Sequence, residues 1–82
     1  MELAVFLNKI VMNGDLQMLK LSLLSGKSVN CADYNGRTPL HVAGDLGFEA
    51  IYDYLLLKGA NPLKKDIFGN LPTKSEIKFL QE

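Results

Sequence analysis

The sequence is poor in the residues that metal binding and disulfide formation need. Its 82 residues include one cysteine, one histidine and no tryptophan. A single cysteine cannot form an internal disulfide, so nothing indicates an oxidising compartment and we expect a cytoplasmic location. Cys31 and His41 are only two side chains, whereas a structural zinc site uses about four ligands. We therefore predict no bound metal and no cofactor.

The sequence also lacks an excess of charge and a long hydrophobic run. Nine basic residues balance nine acidic ones, which removes the electrostatic footprint of a nucleic-acid or anionic-membrane binder. The longest apolar run, residues 3–7, has five residues. The core of a signal peptide needs about 7 to 15, and a membrane span needs about 20. We therefore expect no export signal, and neither nucleic acid nor a membrane as a partner.

The dominant feature that is present is an internal repeat with a period of 33 residues. Residue types that set helix ends and turns recur at this offset. These pairs are Gly14 and Gly47, Gly26 and Gly59, Asp33 and Asp66, Gly36 and Gly69, and Pro39 and Pro72. Two leucine pairs, Leu23 with Leu56 and Leu24 with Leu57, share the offset. The feature that repeats is therefore the backbone pattern of helices and turns.

Within one period, the residues predict two helices. Thr38 is a helix N-cap, Pro39 occupies the first helical position, and Gly47 ends the helix. A second helix is predicted from about residue 48 to residue 58, with Gly59 as the left-handed residue that stops it. Its inward face is predicted to carry Ile51, Tyr52, Leu55 and Leu56. The turn-rich residues that follow connect one helical hairpin to the next.

The segment DYNGRTPLHVA at residues 33–43, with glycines at matching distances on both sides, resembles an ankyrin repeat. The resemblance is close over residues 26–59, and residues 3–26 resemble the helix pair of a preceding repeat. It implies an all-α fold, an ankyrin-repeat solenoid of stacked helical hairpins joined by β-hairpin-like loops. We expect one module over residues 1–82, divided into an N-terminal helix pair (1–26), a full repeat (27–59) and a truncated C-terminal repeat or cap (60–82).

The resemblance implies structural roles for a set of residues. In ankyrin repeats the histidine that matches His41 bonds back to the threonine that matches Thr38 and ties consecutive repeats together. Asp33 and Asp66 are expected to accept backbone hydrogen bonds in the hairpin tips, where glycine allows positive φ. The residues with expected structural roles are Thr38, Pro39, His41, Gly36, Gly47, Gly59 and Gly69.

The third unit departs from the repeat after Pro72. The offset places Thr73 opposite Leu40, and Thr73 with Glu76 predicts a capping box at the start of a helix over residues 75–82. About ten residues of a standard repeat are missing. The segment is either a shortened terminal cap or the result of joining pieces of a longer sequence, and the uncapped ends of so short a stack predict self-association.

No group of residues predicts catalysis. Cys31 and His41 are a thiol and an imidazole, a pair that nucleophilic catalysis uses, but the family resemblance assigns His41 to the bond with Thr38. The acidic residues of the helical region predict a solvated face, because paired acid and base catalysis needs a cleft. These residues are Asp45, Glu49 and Asp53. A chain this short buries only about 60 to 65% of its unfolded surface, too little to enclose a large substrate cleft. The prediction is that the module is not an enzyme.

The remaining prediction is binding, through side chains that the scaffold does not need. On the hairpin tips and inner helices these are Tyr34, Asn35, Arg37, Val42, Asp45, Leu46, Ile67, Phe68 and Asn70. Tyrosine and arginine are enriched among interface hot spots. Alternatively, the aromatic residues at the tips pack on the neighbouring hairpin. Leu24 and Leu57 are expected to face outward, either as isolated apolar residues or as a docking stripe.

Two hypotheses for function follow. The first is a non-catalytic module that binds a protein partner through its hairpin tips and inner helices. The second is a regulatory or assembly segment of a larger enzyme or channel. It rests on the similarity of residues 33–38 and 65–72 to the ankyrin tails of glutaminases, long asparaginases and plant potassium channels. The sequence does not identify the partner, because one scaffold can carry unrelated binding surfaces.

Overall fold

The computed structural model describes residues 3–24, 26 and 28–73. Within these residues it has four helices: α1 (Leu3–Met12), α2 (Leu16–Leu24), α3 (Pro39–Leu46) and α4 (Glu49–Leu57). Helix α1 packs against α2, α3 packs against α4, and the two inner helices α1 and α3 pack against each other. The expected all-α fold of stacked helical hairpins is confirmed. The division into segments 1–26, 27–59 and 60–82 stays a prediction.

The ends of α3 follow from local sequence. The N–H of His41 donates to Oγ1 of Thr38 at 3.4 Å, and Pro39 occupies the first turn, where a missing N–H costs nothing. At the other end, Gly47 adopts φ 73° and its N–H donates to carbonyl groups of the last turn. The predicted start and end of this helix are confirmed.

Helix α4 runs from Glu49 to Leu57, one residue shorter at each end than predicted. The N–H of Gly59 donates to the carbonyl of Leu56 at 3.0 Å, a bond that closes the turn after the helix. The predicted inward positions Ile51, Tyr52 and Leu55 are buried. The prediction was wrong for Leu56, which is 37% exposed because it lies at the edge of the buried face.

One hydrophobic core passes through both hairpins. It includes residues from all four helices and from the segments between them: Leu7, Ile10, Val11, Leu19, Val29, Leu40, Ala43, Ile51, Tyr52, Leu55 and Ala60. Helices of eight to ten residues are not stable alone in water. The stacking of the hairpins therefore supplies most of the stability of each helix.

Residues 71–73 form no helix and cover the end of the second hairpin. Leu71 stands at the position equivalent to Thr38 and has no side-chain oxygen to cap a helix. Pro72 is fully buried, and its carbonyl accepts a hydrogen bond of 2.6 Å from the hydroxyl of Tyr52. The predicted helix over residues 75–82 lies outside the described part of the chain, as does Glu76, the residue predicted to complete the capping box with Thr73.

Candidate protein-binding surface

The two hairpin tips are the loops at residues 33–37, before α3, and 66–70, after α4. Each tip is organised by an aspartate. In the first tip, Oδ1 of Asp33 accepts the N–H groups of Asn35 at 2.9 Å and Arg37 at 3.0 Å. In the second, Oδ1 of Asp66 accepts those of Phe68 and Asn70, both at 2.9 Å. The expected role of both aspartates is confirmed. The predicted structural glycines Gly36, Gly47, Gly59 and Gly69 all have positive φ, between 73° and 94°.

The carboxyl group of Asp66 is stabilised in its charged form. The N–H of Asn70 lowers its pKa most, burial opposes this effect, and the N–H of Phe68 adds to the lowering. The guanidinium of Arg37 also donates to Oδ2 of Asp66 at 3.0 Å. The second tip is therefore built around a buried anion.

The two tips are joined to each other through their backbones. The N–H of Ile67 donates to the carbonyl of Asn35 at 3.0 Å. Gly36 lies so close to the second tip that a Cβ atom there would be 3.1 Å from the nitrogen of Ile67 and 3.2 Å from Cα of Asp66. The side chains on the two tips therefore project from one connected support.

Arg37 is part of this support. Besides its bond to Asp66, its guanidinium forms an ion pair with Asp45 of α3. The interpretation that the scaffold does not need Arg37 was wrong, because the side chain links the first tip to the second tip and to the inner helix. Sequence alone gave no indication of this, since the bond to Asp66 joins residues 29 positions apart.

His41 ties the second hairpin to the following tip, as predicted. Its Nδ1 accepts the N–H of Thr38 at 3.1 Å and lies 2.9 Å from Oγ1 of Thr38. Its Nε2 therefore carries the proton and donates to the carbonyl of Asn70 at 2.9 Å. Both ring nitrogens are engaged and the residue is buried.

The tips expose large apolar side chains. Tyr34 is 84% exposed, Ile67 62% and Phe68 72%. So little burial is inconsistent with the alternative that the aromatic rings pack on the neighbouring hairpin. Among the other predicted binding residues, Asn35, Asp45, Leu46 and Asn70 are exposed, and Val42 is partly buried.

Sequence reasoning missed one exposed residue of this face, Met12. It lines a shallow groove along the inner helices together with Arg37, Val42, Asp45 and Leu46. The 33-residue offset could have identified it, because Met12 stands at the position equivalent to Asp45. We define the inner surface as the predicted binding residues together with Met12.

The outer helices carry the expected exposed leucines. Leu24 and Leu57 are both largely exposed, which confirms that they face outward. Glu49 and Asp53 are exposed as well. Within the described residues, none of the helices combines the length and the apolar character needed to cross a membrane.

Comparison with known proteins assigns the chain to a family. It matches the family model described as "Ankyrin repeats (3 copies)" over residues 6–66. Potassium channel SKOR of Arabidopsis thaliana is 45% identical over 67 residues, 82% of this chain and 8% of the channel. Myotrophin of Xenopus tropicalis is 43% identical over 51 residues, 62% of this chain and 43% of myotrophin. L-asparaginase of Dirofilaria immitis is 43% identical over 67 residues, 82% of this chain and 11% of the asparaginase.

The chain thus spans about a tenth of the length of the channel and of the asparaginase that it matches. The similarity to plant potassium channels, asparaginases and glutaminases expected from the tip sequences is confirmed. The repeated glycines, the Thr38–His41 bond and the stacked hairpins agree with the family match. The chain therefore belongs to the ankyrin repeat family.

Proposed function

We propose that this chain is a non-catalytic module that binds a protein partner through the inner surface. The observation that carries the proposal is the set of three large apolar side chains on the connected tips. Tyr34, Ile67 and Phe68 are exposed to water although the backbone that holds them is fixed by the bond from Ile67 to Asn35. Ankyrin repeats generally mediate protein–protein interaction, and the family match supports the same role here.

The geometry favours a partner with an apolar patch that reaches the tips and the inner helices. Covering apolar side chains contributes a gross gain of about 25 cal/mol per Å², from which the cost of association is subtracted. A rigid support lowers the entropy that binding costs. Asn35, Asp45 and Asn70 are exposed and can hydrogen-bond around the apolar residues. We propose a cytoplasmic setting for this interaction, where a lone thiol stays reduced.

A second candidate function is supported by the comparisons. The channel and the asparaginase each match over a small part of their own length. If the chain is such a part of a longer protein, the inner surface contacts another domain or subunit of that protein and regulates or assembles it. The two candidates share one surface and differ in whether the partner belongs to the same polypeptide.

The proposal is tested by replacing Tyr34 and Phe68 together with Ala. The partner is first identified by photo-crosslinking from position 35, which the substitutions leave unchanged. It is then titrated against the wild type and against this double variant. We expect its Kd to rise about 30-fold, equivalent to about 2 kcal/mol for a hot-spot pair. The midpoint of urea unfolding should change little, because exposed side chains contribute little to the core.

The matched control replaces Leu24 and Leu57 together with Gln on the outer helices. This variant removes two similarly exposed apolar side chains, and its Kd should stay within a factor of about 2 of the wild type if the inner surface binds. Loss of affinity in the leucine variant with none in the aromatic variant would instead place the site on the outer helices.

A further inference from the structure

A second apolar surface lies at the N-terminal end of the stack. A groove of about 320 Å³ is lined by Phe6, Lys9, Ile10, Asn13, Asp15 and Met18. Met18 is 45% exposed, and Leu21, one turn further along α2, is 59% exposed. We call these residues the N-terminal face.

The repeat shows what kind of contact this face is built for. Met18 is equivalent to Ile51 and Leu21 to Tyr54, and both of these residues belong to or pack against the common core. In the second hairpin the equivalent surface is covered by the first one, through packing of α1 on α3. The ring of Phe48 also lies near Gly14, at 3.4 Å from the position of an added Cβ. The N-terminal face thus has the apolar character of a contact between hairpins and no hairpin on it among the described residues.

At the opposite end of the described stack, residues 71–73 cover part of the second hairpin. Pro72 is fully buried there, and a Cβ at Gly44 would lie 2.2 Å from the carbonyl oxygen of Thr73. A second copy therefore cannot place the end of its second hairpin on the N-terminal face unless residues 71–73 are displaced. Of the two ends of the described stack, the N-terminal face is therefore the one that a second copy leaves open.

The charges on the N-terminal face suit such a symmetric contact. Lys9 comes from α1 and Asp15 from the turn before α2, so one cation and one anion line the groove. In a two-fold interface, residue i contacts residue j and residue j contacts residue i. A two-fold contact between two N-terminal faces can therefore pair Lys9 of each copy with Asp15 of the other.

We propose that the N-terminal face is a docking site for a second copy of this chain and forms a two-fold symmetric dimer. Burial of Met18, Leu21 and Phe6 supplies the apolar contact, and the reciprocal pairs of Lys9 with Asp15 set the orientation. The groove of the N-terminal face and the groove of the inner surface share no lining residue.

Sedimentation equilibrium of the full chain tests the dimer. The mass should rise with concentration from 9.1 kDa toward twice that value. Met18→Gln should raise the dimer Kd at least tenfold, whereas Leu57→Gln, a substitution of an exposed apolar residue on α4 outside the groove, should leave it unchanged. A chain that stays monomeric up to millimolar concentration would overturn the proposal, as would a dimer equally weakened by both substitutions.

Charge reversal tests the symmetry separately. Lys9→Asp and Asp15→Lys should each raise the dimer Kd at least tenfold, because like charges then face each other. An equimolar mixture of the two variants should form a heterodimer, since every charged pair is restored between unlike chains. Asp15→Lys also removes the bond from the N–H of Met18 to Oδ1 of Asp15, so circular dichroism first confirms its helix content. Failure of the mixture to dimerise, with both variants folded, would overturn the proposed symmetry.

Discussion

The two hairpins have the same architecture but fix their inner helices by different means. Helix α3 begins at Pro39, directly after the Thr38 cap. The equivalent residues of the first hairpin are Val5 and Phe6, which provide neither a cap nor a proline, and α1 already includes Leu3. Thr38 and Pro39 therefore set where α3 starts, whereas α1 forms without equivalents of these residues and is stabilised by packing against α2 and α3.

The side-chain hydrogen bonds that connect each hairpin to the tip that follows it also differ between the two hairpins. Asn8 occupies the position equivalent to His41, and its Nδ2 donates to the carbonyl of Arg37 at 3.1 Å and to Oδ2 of Asp33 at 3.3 Å. His41 makes the corresponding bond to the carbonyl of Asn70. However, the buried Oδ1 of Asn8 has no hydrogen-bond partner, whereas both ring nitrogens of His41 are engaged. The amide of Asn8 therefore makes the same bond between units as the imidazole of His41 but leaves one of its own polar atoms unsatisfied.

The largest expected difference in the free energy of unfolding is between the substitutions of His41 and Asn8. His41→Ala removes bonds to Thr38 and to the carbonyl of Asn70 and leaves a cavity, so we expect a loss of about 3 kcal/mol in the free energy of unfolding. Asn8→Ala removes two bonds but also removes an unsatisfied oxygen, so we expect a loss of only about 1 kcal/mol. Urea unfolding of both variants measures the difference. Equal losses of unfolding free energy would contradict the idea that His41 and Asn8 stabilise the contact between units to different extents.

A second test concerns Gly44 of α3, where the second hairpin differs from the first in what packs against its inner helix. The equivalent residue of the first hairpin is Val11, which is buried, whereas a Cβ at Gly44 would collide with Thr73. Gly44→Ala should therefore displace residues 71–73 and cost about 1 to 2 kcal/mol, through lost burial of Pro72 and loss of the bond from Tyr52.

The control for Gly44 is the same substitution in a chain that ends at residue 70. With no segment to displace, alanine should stabilise the helix by about 0.5 to 1 kcal/mol because of its better helix propensity. Thermal unfolding of the four chains completes a double-mutant cycle. A loss of the same size in the shortened chain would show that the collision with Thr73 is not the cause.

A smaller loss of unfolding free energy is expected when the N-cap residue of α3 is replaced. Thr38→Ala should lower the free energy of unfolding by about 1 kcal/mol, because Oγ1 no longer accepts the N–H of His41. Thr38→Ser keeps the hydroxyl and should retain most of the stability. In the first hairpin, Val5→Ala removes no cap and tests packing alone. If Thr38→Ser is as unstable as Thr38→Ala, the hydroxyl is not the stabilising group.

The last prediction concerns the loss of stability at low pH that follows from protonation of Asp66 in the second tip. The lowered pKa of Asp66 means that the folded state binds its proton less readily than the unfolded state does. Its contribution to stability is therefore present above the unfolded pKa of about 3.9 and is lost as pH falls through the lower folded value. Asp66→Asn should flatten this part of the acid unfolding curve, measured by circular dichroism from neutral to strongly acidic pH. An unchanged curve would show that Asp66 does not contribute.

Much of the fold was predictable because its signals act locally. The Thr38–Pro39 start of α3, its end at Gly47 and the turns at Asp33 and Asp66 depend on bonds between residues two to five positions apart. The inward positions of α4 followed from helical periodicity, and only Leu56 at the edge of that face was misplaced. For the candidate site, the offset separated repeated residues from the exposed side chains of the tips.

The sequence by itself determined the repeat, its helix ends and the residue types on each tip, because backbone propensities and short-range bonds fix these features. Only the tertiary structure decided that Arg37 joins Asp66 and Asp45, that Asn8 performs the role of His41, and that residues 71–73 close one end while Met18 and Leu21 stay exposed at the other. These features depend on how one hairpin is placed on the next. Apart from the Arg37–Asp45 pair, which spans eight positions, the bonds join groups about 20 to 30 residues apart, a separation over which local propensity specifies no geometry.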